Sequence, residues 1–547
     1  FFHYIVSEKF LPYQAHWDAN NHILNSTLGF FCYKFFGSEQ IWIRLPNVLS
    51  FLVYGFFAVR ITEELKSGLL RWLTLIAILT AVFPLEFFSL ARGYAMSLAV
   101  YHGAQYLRTT KLKHQLMLWF WMWLAVTASL TLINTYIILL GLSFLVLFRV
   151  ESKRWLHFLI WLVFGFSFFA AAAYYGFELK ERGLLYTGLD DGFIEVTVAS
   201  LVRYQLQIES GFLSMLMTAI GGFSAFALLM VFALKRLQWS AVRLTAFLLL
   251  FNAIASILLN LIFGMNFPEN RVGMYYIPLF LITFSGALDQ WNRTNKNVKW
   301  AGLSLLFFPI HLANHLNLET TVLWSKWHGS DDIYNEVVKY QRTQDETLMV
   351  SGEYLNELGW AFYNFQNDAE LQLLQRDPVP DTLADLLIAR PEDFDFASVP
   401  YDTMYVDVAN GIYLLRRKRA IRWSESKKMD LNIAEIDGTN EFYELLNDSV
   451  SRLPGIIGSL ELNATIDVAG GLWDGHLVIT SKDSAGNGSY NYVQMHWLRQ
   501  EWKGDEFHLK RTYHFAKNAK MFKVYFWNMN RQKIHIKVSD FSFRVPE

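Results

Sequence analysis

Residues 243–264 read RLTAFLLLFNAIASILLNLIFG and carry a single charged side chain, Arg243, at their first position. About 20 apolar residues are enough for an α-helix to cross the hydrocarbon core of a bilayer. Comparable stretches recur in the first part of the chain, which is typical of a polytopic membrane protein. We predict about ten such helices, at residues 42–60, 71–88, 92–107, 115–130, 131–148, 155–176, 211–234, 243–264, 271–288 and 299–316.

The distribution of charge divides the 547-residue chain into two parts. Residues 1–316 carry 38 Lys, Arg, Asp and Glu side chains, whereas the shorter stretch 317–547 carries 59. The first part therefore has the composition of a membrane domain, and the second part has that of a soluble protein. The single cysteine, Cys32, excludes an internal disulfide, and a net charge of −1 gives no indication of a nucleic-acid partner.

The loops between the predicted helices alternate in charge. One set of loops contains fifteen basic residues, and the other set contains three: Lys180, Arg182 and Arg203. Because basic loops resist translocation, we predict that the first set is cytoplasmic. The segment 1–41, the loop 177–210, the turn 265–270 and the chain after residue 317 would then be extracytoplasmic. With this orientation we expect a further helix before Phe1.

We therefore predict an α-helical polytopic membrane domain at residues 1–316, followed by two extracytoplasmic domains. Residues 317–420 alternate helical stretches such as DDIYNEVVKYQR with short apolar runs such as TMYVDV, which indicates a small α/β domain. Residues 421–547 contain six or more stretches of period two, which indicate a C-terminal antiparallel β-sandwich of the jelly-roll type. Four tryptophans there could stack on sugar rings, although packing in the core is the commoner role: Trp473, Trp497, Trp502 and Trp527.

The segment His16-Trp17-Asp18-Ala19-Asn20-Asn21-His22 is unusually polar for a position beside a membrane. Polar groups near a bilayer need partners, and a functional site is one way to supply them. The alternative is that Asp18 or Asn20 caps the amphipathic helix that follows. His16, Asp18 and His22 could also bind a metal, but isolated histidines of this kind more often belong to an ordinary surface. We therefore predict no metal and no cofactor.

The stretch PLEFFSLARGYAM, residues 84–96, joins two predicted helices at the same face of the membrane. It places Glu86, Arg92 and Tyr94 at that face. An arginine at the start of a helix can bind a phosphate through charge-assisted hydrogen bonds. The alternative is an arginine that snorkels to the interface beside an aromatic belt.

Two other stretches belong to this face. NFPENR, residues 266–271, opens another predicted helix with Glu269 and Arg271, and Tyr275 follows one turn later. Asp190 and Asp191 precede GFIEVTVASLVRYQ, which could lie along the membrane surface as a helix. Because the topology places them at one face, we expect Asp18, Glu86, Arg92, Glu269 and Arg271 to converge on one outward-facing cavity.

The order of these segments resembles that of the GT-C glycosyltransferases, which include the protein O-mannosyltransferases and the lipid A aminoarabinose transferase. The resemblance covers about residues 1–316, and the residues that carry it are Asp18, Arg44-Leu45-Pro46-Asn47, Ala91-Arg92-Gly93-Tyr94 and the stretch from Pro268 to Tyr276. Many relatives have two adjacent acids in the first outer loop, whereas this chain has Asp18-Ala19-Asn20. That departure argues against a metal or a paired-carboxylate mechanism.

The resemblance implies an enzyme that transfers a sugar, with inversion, from a polyprenyl-phosphate donor to a glycan, lipid or protein acceptor. It implies Asp18 as the general base, with Glu86 and Glu269 as further catalytic candidates. The substrate-binding residues that we predict are His16, His22, Arg92, Tyr94, Arg271 and Tyr275. The protein would be integral to a bacterial inner membrane, in contact with membrane lipid, with its C-terminal domains in the periplasm.

Two other functions remain open at this point. The first is a transporter or flippase of a lipid-linked glycan, in which the arginines would bind phosphate without chemistry. A transporter should carry ionisable groups inside its helices and often broken or repeated helices; here the charges avoid the helix centres. The second is a scaffold, for which ten helices are far more than anchoring needs.

Overall fold

The computed structural model describes residues 2–11, 18–101, 112–147, 154–185, 188–208, 210–233, 240–327, 329–367, 371–376, 379–499 and 501–547. The chain forms two compact units, a helical unit from His3 to Leu323 and a second unit from Trp324 to Glu547. The first is helical throughout the described residues, and the second combines a small α/β part with an all-β part. This agrees with the predicted fold class.

The helical unit contains fourteen α-helices in the residues described, joined in places by 3₁₀ and π turns. They are α1 (Ile23–Phe36), α2 (Gln40–Thr62), α3 (Gly68–Thr80), α4 (Val82–Phe87), α5 (Gly93–Tyr101), α6 (Leu112–Ala128), α7 (Ile133–Leu147), α8 (Arg154–Ile160), α9 (Ser167–Glu181), α10 (Ala199–Leu206), α11 (Ser210–Ala233), α12 (Ala241–Phe263), α13 (Tyr276–Trp291) and α14 (Phe307–His315).

Among the residues that the structure describes, three helical segments are long and apolar enough to span a membrane: Gln40–Thr62, Trp155–Glu181 and Ala241–Phe263. Three shorter apolar helices accompany them, at Gly68–Thr80, Leu130–Leu145 and Met215–Ala225. Large apolar side chains point outward from the long segments, as with Leu261, which is 73% exposed. These features are those of an integral membrane protein.

Two of the predicted helices are interrupted, in each case close to a proline. The predicted helix 71–88 ends at Thr80 and restarts as α4, where Pro84 has no N–H to donate to the carbonyl of Thr80. The predicted helix 299–316 is a 3₁₀ turn from Val298 to Leu306 that becomes α14 two residues before Pro309. Proline is tolerated there because the first turn of a helix has no internal acceptor for its N–H groups. The end of the predicted helix 92–107 lies outside the described residues.

Two acidic side chains join helix ends at one end of the helical unit. Asp289, at the end of α13, accepts a hydrogen bond from the backbone N–H of Ser67 at 2.7 Å. Glu64, after α2, accepts one from the N–H of Ala241 at 2.6 Å. Carboxylates at helix N-termini satisfy free N–H groups and the helix dipole. The loops that lie here belong to the basic set that we predict to be cytoplasmic.

The second unit begins with a four-stranded sheet covered by two helices. The helices are α15 (Asp331–Gln341) and α16 (Tyr354–Gln366), and the strands are β1 (Val350–Gly352), β2 (Leu386–Ala389), β3 (Tyr401–Asp407) and β4 (Ile412–Arg417). The strand order is β1-β2-β4-β3, with β1 and β2 parallel. Ile333, Val337 and Trp360 of the helices pack on Leu386 and Ile388.

The rest of the second unit is an antiparallel sandwich. Its strands are β5 (Lys427–Lys428), β6 (Glu435–Gly438), β7 (Phe442–Ser449), β8 (Ile457–Val468), β9 (His476–Lys482), β10 (Gly488–Gln494), β11 (Lys503–His514), β12 (Met521–Trp527) and β13 (Ile534–Arg544). One sheet has the order β10-β9-β12-β7, and the other contains β11-β8-β13 with β5 and β6 paired to β13. Trp473, Trp497 and Trp502 are buried, and Trp527 is partly exposed. Three of the four candidate tryptophans therefore serve the core.

Asn47 connects α2 to the turn between α4 and α5. Its side chain is fully buried; Nδ2 donates to the carbonyls of Phe87 at 2.6 Å and Leu90 at 2.5 Å, and Oδ1 accepts from the N–H of Met96 at 3.1 Å. One carboxamide thus forms hydrogen bonds with three backbone groups on both sides of the turn. This contact explains the asparagine in the Arg44-Leu45-Pro46-Asn47 motif.

We predict that Asn47→Ala lowers the free energy of unfolding by about 1–3 kcal/mol for each buried backbone group that it leaves unpaired. Thermal unfolding of the detergent-solubilised protein measures the change. Asn297→Ala, at an exposed turn, is the matched control and should leave the melting temperature unchanged. Equal melting temperatures for the two variants would contradict the role given to Asn47.

Candidate functional site

The polar segment before α1 contacts three other parts of the helical unit, at the end opposite Asp289. The phenol of Tyr175 in α9 donates to the carbonyl of Asp18 at 3.2 Å, and Arg92 before α5 donates to Asn20 at 3.2 Å. His22 lies 2.8 Å from the carbonyl of Ala128 at the end of α6. We use the name Asp18 cluster for Asp18, Asn20, His22, Arg92, Tyr94 and Arg271.

Asp18 is the carboxylate of the cluster and is partly exposed. Its Oδ1 accepts hydrogen bonds from the backbone N–H of Asn20 at 2.9 Å and from Asn20 Nδ2 at 3.1 Å, and its Oδ2 accepts one from the phenol of Tyr4. A carboxylate offers about four lone-pair sites in all. Among the described residues, Tyr4 is the hydrogen-bond donor to Oδ2, so that a second lone pair of this oxygen can accept from a hydroxyl group.

Asn20 bridges the acid and the first arginine. Its Nδ2 donates to Asp18 while its Oδ1 accepts from Arg92 Nη1. Two hydrogen bonds joined through one amide keep the guanidinium well within about 15 Å of the carboxylate. Burial lowers the pKa of the Arg92 guanidinium, but this group stays protonated in proteins. The side chain is therefore a partly buried cation beside a carboxylate.

Arg271 brings a second positive charge to the cluster. Its Nε donates to the phenol oxygen of Tyr94 at 3.3 Å, and its Nη1 donates to Asn270 Oδ1 at 3.3 Å. Asn270 has a φ of 45°, a left-handed conformation in which asparagine is one of the few tolerated residues, and its N–H donates to Ser200 at 2.8 Å. The 3₁₀ turn Asn270–Val272 thereby fixes the direction of Arg271.

Gly93 allows the elements of the site to approach one another. A Cβ atom at this position would lie 1.9 Å from the carbonyl oxygen of Ala128 and 2.9 Å from Cβ of His22. Real atoms do not approach so closely, so only glycine fits. The Ala91-Arg92-Gly93-Tyr94 motif therefore combines a cation, a close contact and an aromatic ring, and the ring of Tyr94 packs edge-on against His22 with centroids 4.5 Å apart.

The other predicted residues have different surroundings. Glu86 accepts a hydrogen bond from the N–H of Val322 at 3.0 Å, and burial raises the pKa of its carboxyl group to about 7. Glu269 lies against the loop at Gly188. A Cβ atom added to Gly188 would lie 2.8 Å from Cβ of Glu269. Tyr275 stacks on Tyr276 with centroids 4.5 Å apart. Of the five residues expected to converge, the contacts described join Asp18, Arg92 and Arg271.

Two expectations about the first outer segment have separate outcomes. His16 lies outside the described residues, so its predicted role in binding substrate stays a prediction. Among the residues that the structure does describe, no group of three His, Cys, Asp or Glu side chains could hold a metal ion. The segment after Asp191 is helical, as the π turn Phe193–Val198 and α10, and Tyr204 of α10 stacks on Phe83 of α4. Its position along the membrane surface stays a prediction.

Several members of the site could not be identified from the sequence. Asn20 was considered only as a helix cap, yet it joins Asp18 to Arg92. Tyr4 and Tyr175 carried no signal, because a tyrosine in an aromatic-rich chain is indistinguishable from interfacial or core tyrosines. Ala128 acts through its backbone carbonyl, which no side-chain pattern reveals.

We predict that Gly93→Ala destabilises the protein by several kcal/mol, because the new methyl group overlaps the Ala128 carbonyl and cannot be relieved by rotating a side chain. The measurement is thermal unfolding in detergent. Gly141→Ala is the matched control: it lies inside α7 with open space around its Cβ, and should be neutral or slightly stabilising. If Gly93→Ala melted like Gly141→Ala, the close approach would not constrain the site.

No protein-family model matches the chain, and no curated protein matches it significantly. Among solved structures, its neighbours include two crystal structures of ArnT, a GT-C lipid A aminoarabinose transferase, from Cupriavidus metallidurans. The apo form has 11% identity and a TM-score of 0.31, and the form bound to undecaprenyl phosphate has 12% identity and a TM-score of 0.39. Each match covers 76% of this chain and 92% of ArnT, and the resemblance stated from the sequence named the same family.

Proposed function

We propose that this protein is a membrane glycosyltransferase that moves a sugar, with inversion, from a polyprenyl-phosphate donor to a glycan, lipid or protein acceptor on the extracytoplasmic side. One observation carries the proposal. A carboxylate and two guanidinium groups lie in one cluster at the end of apolar, membrane-spanning helices. The cluster therefore combines the groups needed to bind a lipid phosphate and to activate a hydroxyl.

The charge of the cluster suits a phosphate. Arg92 and Arg271 contribute two positive charges, Asp18 contributes one negative charge, and the net charge is positive. A sugar linked to a lipid through phosphate is a diester with one negative charge, and the phosphate gains a second when the sugar leaves. Guanidinium groups beside the phosphate oxygen that leaves the sugar stabilise this second negative charge as it develops.

Asp18 can act as the base in a single displacement. The acceptor oxygen attacks the anomeric carbon, and the bond from that carbon to the phosphate oxygen breaks with its electron pair on the phosphate. The acceptor proton passes to Oδ2 of Asp18, which keeps a lone pair beside its hydrogen bond from Tyr4. Attack from the face opposite the phosphate inverts the anomeric carbon.

The membrane-spanning part explains how such a donor could reach the site. A polyprenyl chain stays in the hydrocarbon layer, so its phosphate group is held at the bilayer surface. The Asp18 cluster lies at helix ends, and the outward-pointing side chains of the spans are apolar. A lipid-linked donor could therefore present its phosphate to Arg92 without leaving the membrane.

Glu86 is the next candidate for the base. Its pKa of about 7 lies in the range where a general base works best at neutral pH. Its carboxylate, however, accepts a hydrogen bond from the N–H of Val322. Glu86 also takes no part in the contacts that define the Asp18 cluster. Glu269 also stays a candidate for the general base, because it lies two residues before Arg271 in the sequence.

We predict that Asp18→Asn lowers turnover by about 10²–10⁴-fold and leaves donor binding largely intact. Asparagine can keep the hydrogen bonds to Asn20 and Tyr4 but cannot accept the proton. Arg92→Ala should instead weaken donor binding, because it removes a phosphate partner. Turnover and donor affinity of the purified, folded variants test both statements.

The control for these variants is Glu181→Gln, which removes an exposed acid at the end of α9, and it should behave as wild type. Near-normal transfer by Asp18→Asn would eliminate Asp18 as the base. A wild-type protein that binds the lipid phosphate but transfers no sugar would favour the transporter or flippase.

We predict that a reporter fused after Val545 is active on the extracytoplasmic side. The physical reason is the excess of basic residues in the loops that would face the cytoplasm. Paired fusions of a reporter active only in the cytoplasm and one active only outside it make the measurement. Activity confined to the cytoplasmic reporter would reverse the orientation and place the Asp18 cluster on the wrong side for the proposed acceptor.

A further inference from the structure

His22 is the member of the Asp18 cluster that the proposed displacement leaves without a task. It directly precedes α1 and is only 6% exposed. Its Nδ1 lies 2.8 Å from the carbonyl oxygen of Ala128. Its Nε2 is also buried and has no hydrogen-bond partner among the residues that the structure describes. A buried polar atom of this kind costs about 1–3 kcal/mol when it stays unpaired.

The contact with Ala128 determines which nitrogen carries the proton. A carbonyl oxygen can only accept a hydrogen bond, so Nδ1 must be the donor. Burial, followed by the positive charge of Arg92, lowers the pKa of His22 to about 3, and the ring is therefore neutral at physiological pH. In a neutral ring with its proton on Nδ1, Nε2 presents a lone pair. Nε2 can therefore accept a hydrogen bond at neutral pH.

The ring is held in place from several sides. The Ala128 carbonyl fixes one edge of the ring, and Tyr94 packs against it at 4.5 Å. Gly93 allows this arrangement, because any side chain there would push against both Ala128 and His22. Tyr94 also accepts the hydrogen bond from Arg271, so the imidazole and a phosphate-binding cation share one neighbour.

The chemistry of Nε2 limits what it can bind. A lone pair needs a partner that carries a hydrogen atom. The oxygens of a phosphate diester carry none at neutral pH, and they are bound instead by guanidinium groups. The hydroxyl and amino groups of a sugar do carry hydrogen, and in the donor the sugar lies next to the phosphate.

We propose that His22 Nε2 accepts a hydrogen bond from a hydroxyl or amino group of the sugar in the lipid-linked donor. The two halves of the donor then have separate partners: Arg92 and Arg271 hold the phosphate, and His22 selects for the sugar. This inference rests on the proposed function and adds to it a residue that determines sugar specificity.

The test compares lipids with and without a sugar on the full-length protein in detergent. The probes are undecaprenyl phosphate and undecaprenyl phosphate that carries mannose, glucose or 4-amino-4-deoxyarabinose. The variants are His22→Asn and Arg92→Ala. Asparagine can place an N–H where Nδ1 was, which keeps the bond to Ala128, but it has no atom at the position of Nε2.

For His22→Asn, we expect the preference for the best sugar-bearing lipid over undecaprenyl phosphate to fall about 3–10-fold, the value of one neutral hydrogen bond. The affinity for undecaprenyl phosphate itself should not change. Arg92→Ala should weaken both lipids by the same factor. An equal effect of His22→Asn on both lipids, no effect on either, or a wild-type protein without any sugar preference would each overturn the inference.

Deoxy sugars on the wild-type protein give a second measurement that needs no variant to fold. Removal of one particular hydroxyl or amino group from the best sugar should lower the affinity of the wild-type protein by the same factor as the His22→Asn substitution does. The same removal should not lower the affinity of the His22→Asn variant any further. If no single position mattered, or if His22→Asn changed only the KM for the acceptor, the inference would be wrong. Failure of undecaprenyl phosphate to bind the wild type would refute the proposed function itself.

Discussion

The close approach of α5 to the end of α6 at Gly93 is the constraint on which the site depends. The carbonyl of Ala128 comes so near that no side chain fits between the two helices. The same carbonyl accepts the hydrogen bond from His22, and the residue before Gly93 is Arg92. Asn47 holds the turn between α4 and α5, because its side chain forms hydrogen bonds with backbone groups on both sides of Arg92 and Gly93. A backbone contact, rather than a side-chain pair, thus sets the position of an arginine and a histidine.

The polar groups of the helical unit are concentrated where they can be satisfied. Bilayers contain no partners for charges, so charged side chains are expected at helix ends or inside the protein. At one end, Asp289 and Glu64 accept hydrogen bonds from helix N-termini. At the other, Asp18 and the two arginines gather with more positive than negative charge. The acids at the first end are paired with helix N-termini, whereas the second end keeps a net positive charge.

The second unit gains its stability in the way that soluble domains do. Buried tryptophans fill the sandwich, with Trp473 and Trp502 packed edge to face at 6.2 Å. A buried polar interface joins the sandwich to the α/β part: Arg511 donates to the carbonyls of Leu373 and Leu374, and Thr512 donates to Asp381 at 2.7 Å. Removal of one partner from such an interface would leave buried groups unpaired. The two parts therefore form one compact unit, in agreement with their division from the helical unit at Leu323.

The features that depend on local pattern could be predicted from the amino-acid sequence. Long apolar runs gave the helices, alternation gave the strands of the sandwich, and polar stretches at predicted helix ends pointed to Asp18, Arg92 and Arg271. Which of these polar residues meet depends on the packing of distant segments. The same is true of the hydrogen bond between Val322 and Glu86 and of the bridge that Asn20 forms between the acid and the arginine. Hydropathy specifies which residues a helix buries and at which end a loop lies, but not which loop packs against which. The lowered pKa of His22 could not be predicted from local sequence for the same reason. It results from burial and from the charge of Arg92, which lies 70 residues away in the sequence.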